Sequence, residues 1–218
     1  MRLDVREALR YLGAQNAQGE ARRAVEETAA ALEKQITPRY TYRVFQASLT
    51  PEGAYLSEAG LLLPGRLPAA MLKDCPQAAL FACTLGAEFD RLLRYAQARD
   101  MAKAAVLDAC GSAYVEAACQ EAEGEIRARF PALYGTDRFS PGYGDFPLTV
   151  QPAFLAALNA EKRLGVYALP SCLMSPGKSV TAVMGLSPRP QPAKIRGCAF
   201  CAMKNDCDYR KRGMTCAD

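Results

Sequence analysis

Arg138-Phe-Ser-Pro-Gly-Tyr-Gly-Asp-Phe-Pro147 is the stretch on which the reading of this chain turns. Pro141 and Gly142 force a turn, because proline fixes φ and glycine tolerates backbone angles closed to other residues. Gly142 and Gly144 leave room for a ligand to reach the backbone. Arg138 offers a planar fork of donors that suits a carboxylate. Tyr143 offers an aromatic face and a hydroxyl, which suit a cation or a flat ring. Composition alone describes the same residues equally well as a Gly/Pro-rich surface loop with an arginine on its edge.

The segments around the loop have clear periodicity. Upstream, Asp100 to Arg129 is a long Ala-rich helical pattern with apolar residues at Val106, Ala109, Ala113 and Ala117. Within it, Gly111 allows a close backbone approach and Gly124 weakens the last turns. Downstream, a helix starts at Thr149 or Gln151, carries Pro152 in its first turn and runs to Leu164, with Gly165 as its cap. Val166 to Leu169 and Ser179 to Leu186 read as two strands. Further back, Asp4 to Leu12 and Glu20 to Gln35 read as helices, and Arg39 to Leu49 as a strand rich in Tyr, Val and Thr. Leu61 to Leu63 forms a short strand and Leu67 to Lys73 a helical turn or two. Gln77 to Thr84 is a buried strand, followed by a helix from Ala87 to Gln97. The elements do not alternate regularly enough for a doubly wound sheet. The expected class is α+β, a mostly antiparallel twisted sheet flanked by helices.

Composition narrows the function. The 218 residues include nine cysteines and no histidine. Every Ser-His, Cys-His or His-metal arrangement within the chain is excluded. Lys and Arg total 27 against 23 Asp and Glu, a net charge of +4. The excess lies wholly in residues 189–218, which hold seven basic and three acidic side chains. That is too little charge for nucleic-acid binding. No apolar run is long enough for a membrane helix, and Met1-Arg-Leu-Asp-Val opens without the apolar core of a secretory signal. The expected setting is cytoplasmic. There, nine cysteines do not form a disulfide framework.

Arg138-x-x-Pro-Gly-Tyr143, followed by a helix ending at Asn159-Ala-Glu-Lys-Arg-Leu-Gly165, resembles the activation domain of cobalamin-dependent methionine synthase. Two other segments extend the likeness in the same order along the chain. Tyr114-Val-Glu-Ala-Ala-Cys-Gln120 is similar to that family's Ala-Glu-Ala helix. Leu169-Pro-Ser-Cys-Leu-Met-Ser-Pro-Gly-Lys-Ser-Val-Thr181 is similar to its Thr-Glu-Ser segment. The Cys83-Thr-Leu-Gly86 segment and the Cys-rich end resemble the short stand-alone versions of the domain. The resemblance divides the chain into a domain of residues 1–188 and a Cys-rich basic tail of residues 189–218. Within the domain, residues 1–99 supply N-terminal helices and strands, and residues 100–188 bind the ligand.

The resemblance implies a function in repair. S-adenosylmethionine supplies a methyl group that restores an oxidised cobalamin carried by a separate methionine synthase or other corrinoid methyltransferase. An electron donor protein is a further implied partner. Position by position, Arg138 would bind the methionine carboxylate, and backbone groups around Ser140 and Gly142 would contact the ligand. Tyr143 would lie where S-adenosylmethionine and the corrin edge meet, and Glu116 would offset the amino or sulfonium charge. Met174, Pro176 and Lys178 would form an edge facing the corrin; without the resemblance they describe an ordinary turn. Two departures stand out. Leu169-Pro170 replaces the family's Thr-Glu, and the cysteine segment replaces its longer C-terminal portion.

Cys198-x2-Cys201-x5-Cys207-x8-Cys216 gathers four thiols within 19 residues. Such spacing lets thiolates converge on zinc or an iron–sulfur cluster. Cys75, Cys83, Cys110, Cys119 and Cys172 sit among apolar or helical positions and read mostly as small buried hydrophobes. Two other functions are compatible with these residues. One is a non-catalytic interaction module that binds a metal through its four tail cysteines. The other is an independent S-adenosylmethionine-dependent methyltransferase, against which stands the lack of a strand–Gly-x-Gly–helix signature.

Overall fold

The computed structural model describes residues 1–192 and Lys211. The metal-ligand candidates Cys198, Cys201, Cys207 and Cys216 lie outside the described residues. Seven helices are present among the described residues: α1 (Val5–Tyr11), α2 (Gly19–Gln35), α3 (Arg66–Leu72), α4 (Gly86–Gln97), α5 (Met101–Arg129), α6 (Gln151–Leu158) and α7 (Ala160–Leu164). The strands are β1 (Arg39–Thr50), β2 (Gly53–Leu56), β3 (Leu61–Pro64), β4 (Gln77–Thr84), β5 (Tyr134–Gly135), β6 (Tyr167–Ala168), β7 (Met174–Ser175) and β8 (Ser179–Ser187). They form a six-stranded sheet in the order β3-β2-β1-β4-β8-β5 and a small β6-β7 pair. Every pairing is antiparallel. The α+β class with an antiparallel sheet flanked by helices is therefore correct.

β4 lies at the centre because it is apolar on both faces. Ala79, Phe81 and Cys83 pack toward α1, α2, α4 and α5, whereas Ala78, Leu80 and Ala82 pack against residues of α3, α6 and α7. Strand alternation requires this division, and a continuous apolar run satisfies it only when both faces are covered. Leu80 and Phe81 are wholly buried, and each contributes about 2 kcal/mol of transfer free energy. β8 repeats the pattern beside it, with Ala182, Met184 and Leu186 on the α5 side and Val183 on the other.

Helix starts follow their caps. Asp4 accepts the Arg6 amide at 2.8 Å. Asp100 accepts the amides of Ala102 and Lys103 at 3.0 and 3.1 Å, satisfying two donors that the first turn of α5 leaves open.

Several expectations need correction. β2 has no counterpart among the elements expected from sequence, because four residues between Pro51-Glu52 and a helical turn are too few to show a period. The helix expected from 149 to 164 is broken at Asn159, whose φ of 52° places it in the left-handed region between α6 and α7. Between the two strands expected at 166–169 and 179–186 lies a further one, β7, which pairs with β6. α5 does run to Arg129 as expected, with Gly124 inside it. Gly111 admits a side chain and not a backbone: a Cβ there would overlap the ring of Phe89 from α4. Of the five described cysteines, four are buried and none is in a disulfide, and Cys172 is partly exposed. Burial pushes the Cys110 thiol up to about 12.

The Gly111–Phe89 contact gives a stability test. Gly111→Ala improves helix propensity by about 1 kcal/mol but overpacks the α4–α5 contact, which costs about 1–3 kcal/mol. Denaturant unfolding should show net destabilisation. Adding Phe89→Leu to Gly111→Ala should recover some of the loss.

Candidate functional site

Three segments distant in sequence meet along one side of α5. The helix carries Asp108, Ser112, Glu116 and Glu123 at spacings of four, four and seven residues. Those intervals fall on one helical face. The second segment is 134–139, which leads into the 140–147 loop, and the third is the approach to β8 at 174–179.

Segment 134–139 is held as an edge strand on β8. Tyr134 and Gly135 pair with Ser187 and Leu186. The Thr136 amide donates to the Gly185 carbonyl at 2.9 Å, and the Gly185 amide donates to Thr136 Oγ1 at 2.9 Å. Phe139 and Val183 exchange backbone hydrogen bonds of 3.0 and 2.8 Å. This docking buries Phe139, whose ring meets that of Phe146 with centroids 5.8 Å apart. Strand alternation turns Arg138, next to Phe139, to the opposite face, where α5 lies.

There the Arg138 guanidinium pairs with two carboxylates of α5. Nη2 donates to Glu116 Oε1 and Nη1 to Glu123 Oε1. The two pairs differ in depth. The Glu123 side chain is 11% exposed and that of Glu116 is 29% exposed. Arg127 stands 4.0 Å from Glu123 and adds a second positive charge. Arg138 and Glu116 are thus brought together, and the Arg138 fork is held by carboxylates of this chain.

Beyond Phe139 the loop closes on itself. The Tyr143 amide donates to the Ser140 carbonyl at 3.1 Å, the Gly142 amide to the Phe146 carbonyl at 2.8 Å, and the Phe146 amide to the Tyr143 carbonyl at 2.9 Å. Gly142 and Gly144 have φ of 95° and 55°, which glycine alone adopts without strain. Tyr143 is left 53% exposed at the tip. The backbone of Ser140 and Gly142 spends one acceptor and one donor on the loop itself, while the Tyr143 ring is free to meet a ligand.

The third segment is tied to the same helices. Lys178 Nζ lies 2.8 Å from Asp108 Oδ1 and 2.9 Å from Ser112 Oγ. The Gly177 amide donates to Asp90 Oδ2 on α4 at 2.8 Å. Pro176 is buried, and Met174 is half-buried against the core beneath α6. Met174, Pro176 and Lys178 therefore sit together, with the Lys178 ammonium directed to α5.

Sequence reasoning missed two contributors. Glu123 is seven residues from Glu116 and so on the same face, a signal that was available. Asp145 was hidden, because its partners are remote. It accepts the amides of Arg66 and Leu67 at 2.8 and 2.9 Å and so caps α3, whose own Gly65 has no side chain to do so. The only hint was a helix start without a local cap. Two concavities lie away from the loop. One, of about 780 Å³, runs along β1 between Arg129 and Arg163. The other, of about 410 Å³, lies between α6 and Tyr167.

No family model matches the chain, and no curated protein matches it. Among solved structures the fold is similar to a crystal structure of the MetH reactivation domain bound to AdoHcy, with a TM-score of 0.64. The similarity covers 98% of this chain and 84% of that one at 17% sequence identity. At that identity the likeness establishes the fold.

The two α3 amides hold the Asp145 carboxyl below the usual carboxylate range. A depressed folded-state value means that the stabilisation is present above the unfolded value, about pH 4, and fades as pH falls through the folded one. Asp145→Ala should lower the melting temperature at neutral pH, and its deficit against the parent protein should shrink on acidification. Thermal unfolding across an acidic pH series checks both.

Proposed function

We propose that this chain binds S-adenosylmethionine and supports reductive methylation of cobalamin on a separate methionine synthase or other corrinoid methyltransferase. The observation that carries the reading is the Arg138–Glu116 pair, on the same short segment as the exposed Tyr143. A guanidinium and a carboxylate side by side match the carboxylate and ammonium of an amino-acid end group. Glu116 is the more exposed of the two Arg138 partners, so it is the one a zwitterion can replace without unpairing the deeper Glu123. Likeness to a fold solved with AdoHcy supports the choice of ligand. An electron donor protein would supply the one electron that returns cob(II)alamin to cob(I)alamin on the corrinoid partner; the cobalt would then take the methyl group of S-adenosylmethionine as the S–CH3 bond breaks, and S-adenosylhomocysteine would leave.

In this reading the residues of the chain position the ligand. Arg138 takes the carboxylate, and Glu116 takes the ammonium or faces the sulfonium. Backbone around Ser140 and Gly142 lines the ligand. Tyr143, exposed at the loop tip, would meet the ligand with its ring, as a cation–π partner of the sulfonium. Methyl transfer from sulfur to a metal nucleophile requires no general base, so a chain without histidine can serve it by orientation alone. The turn that carries Met174, Pro176 and Lys178 would face the partner through its exposed Gly177, with Pro176 packed beneath and Lys178 held on α5. We further assign residues 1–188 to the ligand-binding domain and 189–218 to a tail whose four cysteines bind iron–sulfur or zinc.

Calorimetry with S-adenosylmethionine tests the ligand. Tyr143→Ala, at an exposed position, should leave the melting temperature unchanged and weaken binding about tenfold. Arg138→Lys keeps the charge and loses the fork, and should weaken binding about tenfold or more. Full binding by both variants, or no binding by the parent, would overturn the reading. Anaerobic purification with iron, sulfide and zinc analysis tests the tail. Stoichiometric metal lost in a Cys198→Ser, Cys201→Ser double variant is the expected result.

A further inference from the structure

β1 is partnered unevenly. From Arg39 to Gln46 it pairs on one side with β4, but β2 begins only opposite Ala47. The Ala47 amide donates to the Pro76 carbonyl at 2.9 Å, on the β4 side. The odd-numbered peptide groups of β1 therefore face β4. Antiparallel alternation turns the N–H and C=O of Tyr40, Tyr42 and Val44 the other way, toward an edge that carries no strand among the described residues. The next residue in that series, Gln46, is already closed, since its amide donates to Glu58 Oε2 at 2.9 Å. The free edge is thus Tyr40 to Val44, roughly 17 Å of strand.

The groove of about 780 Å³ runs along these five residues. Its walls bear charge of one sign. Arg129, from the end of α5, stands on the side of Tyr40 and Tyr42. Arg163, from α7, stands on the side of Thr41 and Arg43. Arg43 also lines the groove, and all three arginines are exposed. Glu125 is the acidic residue lining it. Its carboxylate accepts both the Tyr40 and the Tyr42 hydroxyls, at 2.6 and 3.0 Å. Arg163 reaches only a long 3.4 Å contact with Thr41 Oγ1, and Arg129 has no ion pair among the described residues.

We propose that this groove takes an extended acidic segment of another protein as an added strand. An open strand edge supplies main-chain hydrogen bonds in register, and flanking side chains select the sequence. Side chains of an added strand point alternately to the two faces, so Arg129 and Arg163 each meet a carboxylate of different parity. Charge decides the occupant. The last thirty residues of this chain carry its basic excess and are repelled by the same arginines. A second copy docked edge to edge would oppose three guanidiniums to three. An acidic segment neutralises them, and its binding weakens with salt.

The test uses the full chain and a blocked Glu-Val-Glu-Glu-Val-Glu peptide, with fluorescence anisotropy for affinity and amide hydrogen exchange for position. The peptide should bind, and the amides of Tyr40, Tyr42 and Val44 should gain protection, while that of Thr41, already facing β4, should not change. Arg129→Glu with Arg163→Glu, both at exposed positions, should weaken binding about tenfold or more. The same peptide N-methylated at alternate residues keeps its charge and should also bind about tenfold more weakly. Equal binding by the Lys-for-Glu peptide overturns the proposal. So does an absence of binding, binding that leaves the three amides unprotected, or self-association of the free protein through this edge.

Discussion

The antiparallel pairing of β4 with β8 is the constraint on which the rest of the structure depends. It runs unbroken from Gln77 opposite Leu186 to Thr84 opposite Ser179. Both strands are covered on both faces, so neither can slip by one residue without exchanging its apolar sets across the sheet. With β8 so held, its free edge becomes the template for 134–139, and its first residue sets where Lys178 emerges. The position of the Arg138 side chain is therefore a consequence of core packing some forty residues away in sequence.

α5 translates that position into electrostatics. A rigid helix of 29 residues, about 43 Å long, carries one polar stripe past two loops. Lys178 is neutralised at Asp108, and Arg138 at Glu116 and Glu123. A buried guanidinium with fewer partners would be expensive, so the second carboxylate has a structural reason. It holds the fork in place whichever group occupies the outer position. The loop tip is anchored by different means, through Phe146 in the core and Asp145 on α3. Tyr143 is thereby exposed on a short, well-braced turn and does not hang from a long free loop.

Much of this was legible from local pattern. The β4 run, the long α5 pattern, the Asp4 cap and the turn at Pro141-Gly142 all express short-range rules of period, capping and backbone freedom. The convergence of Arg138 with Glu116 followed from resemblance, since nothing in 22 residues of separation announces it. What stayed hidden depended on partners remote in sequence. Asp145 reads as a solvent-exposed loop residue until α3 is seen to start without a cap of its own. Gly111 reads as a helix-packing glycine until the Phe89 ring is found against it. β6 reads as a strand without a partner until the chain is seen to turn back at Ser171-Cys172 and pair it with β7.

By itself the sequence determined the longer helices and strands, that Gln77 to Thr84 is a buried strand, and that no histidine chemistry is available. Those follow from side-chain period and composition, which act within a few residues. Only the tertiary structure decided that Arg138 is shared by two carboxylates, that Lys178 turns to α5, and that five residues of the β1 edge between arginines have no strand against them among the described residues. Those depend on strand register and on which faces meet, and long-range burial selects both.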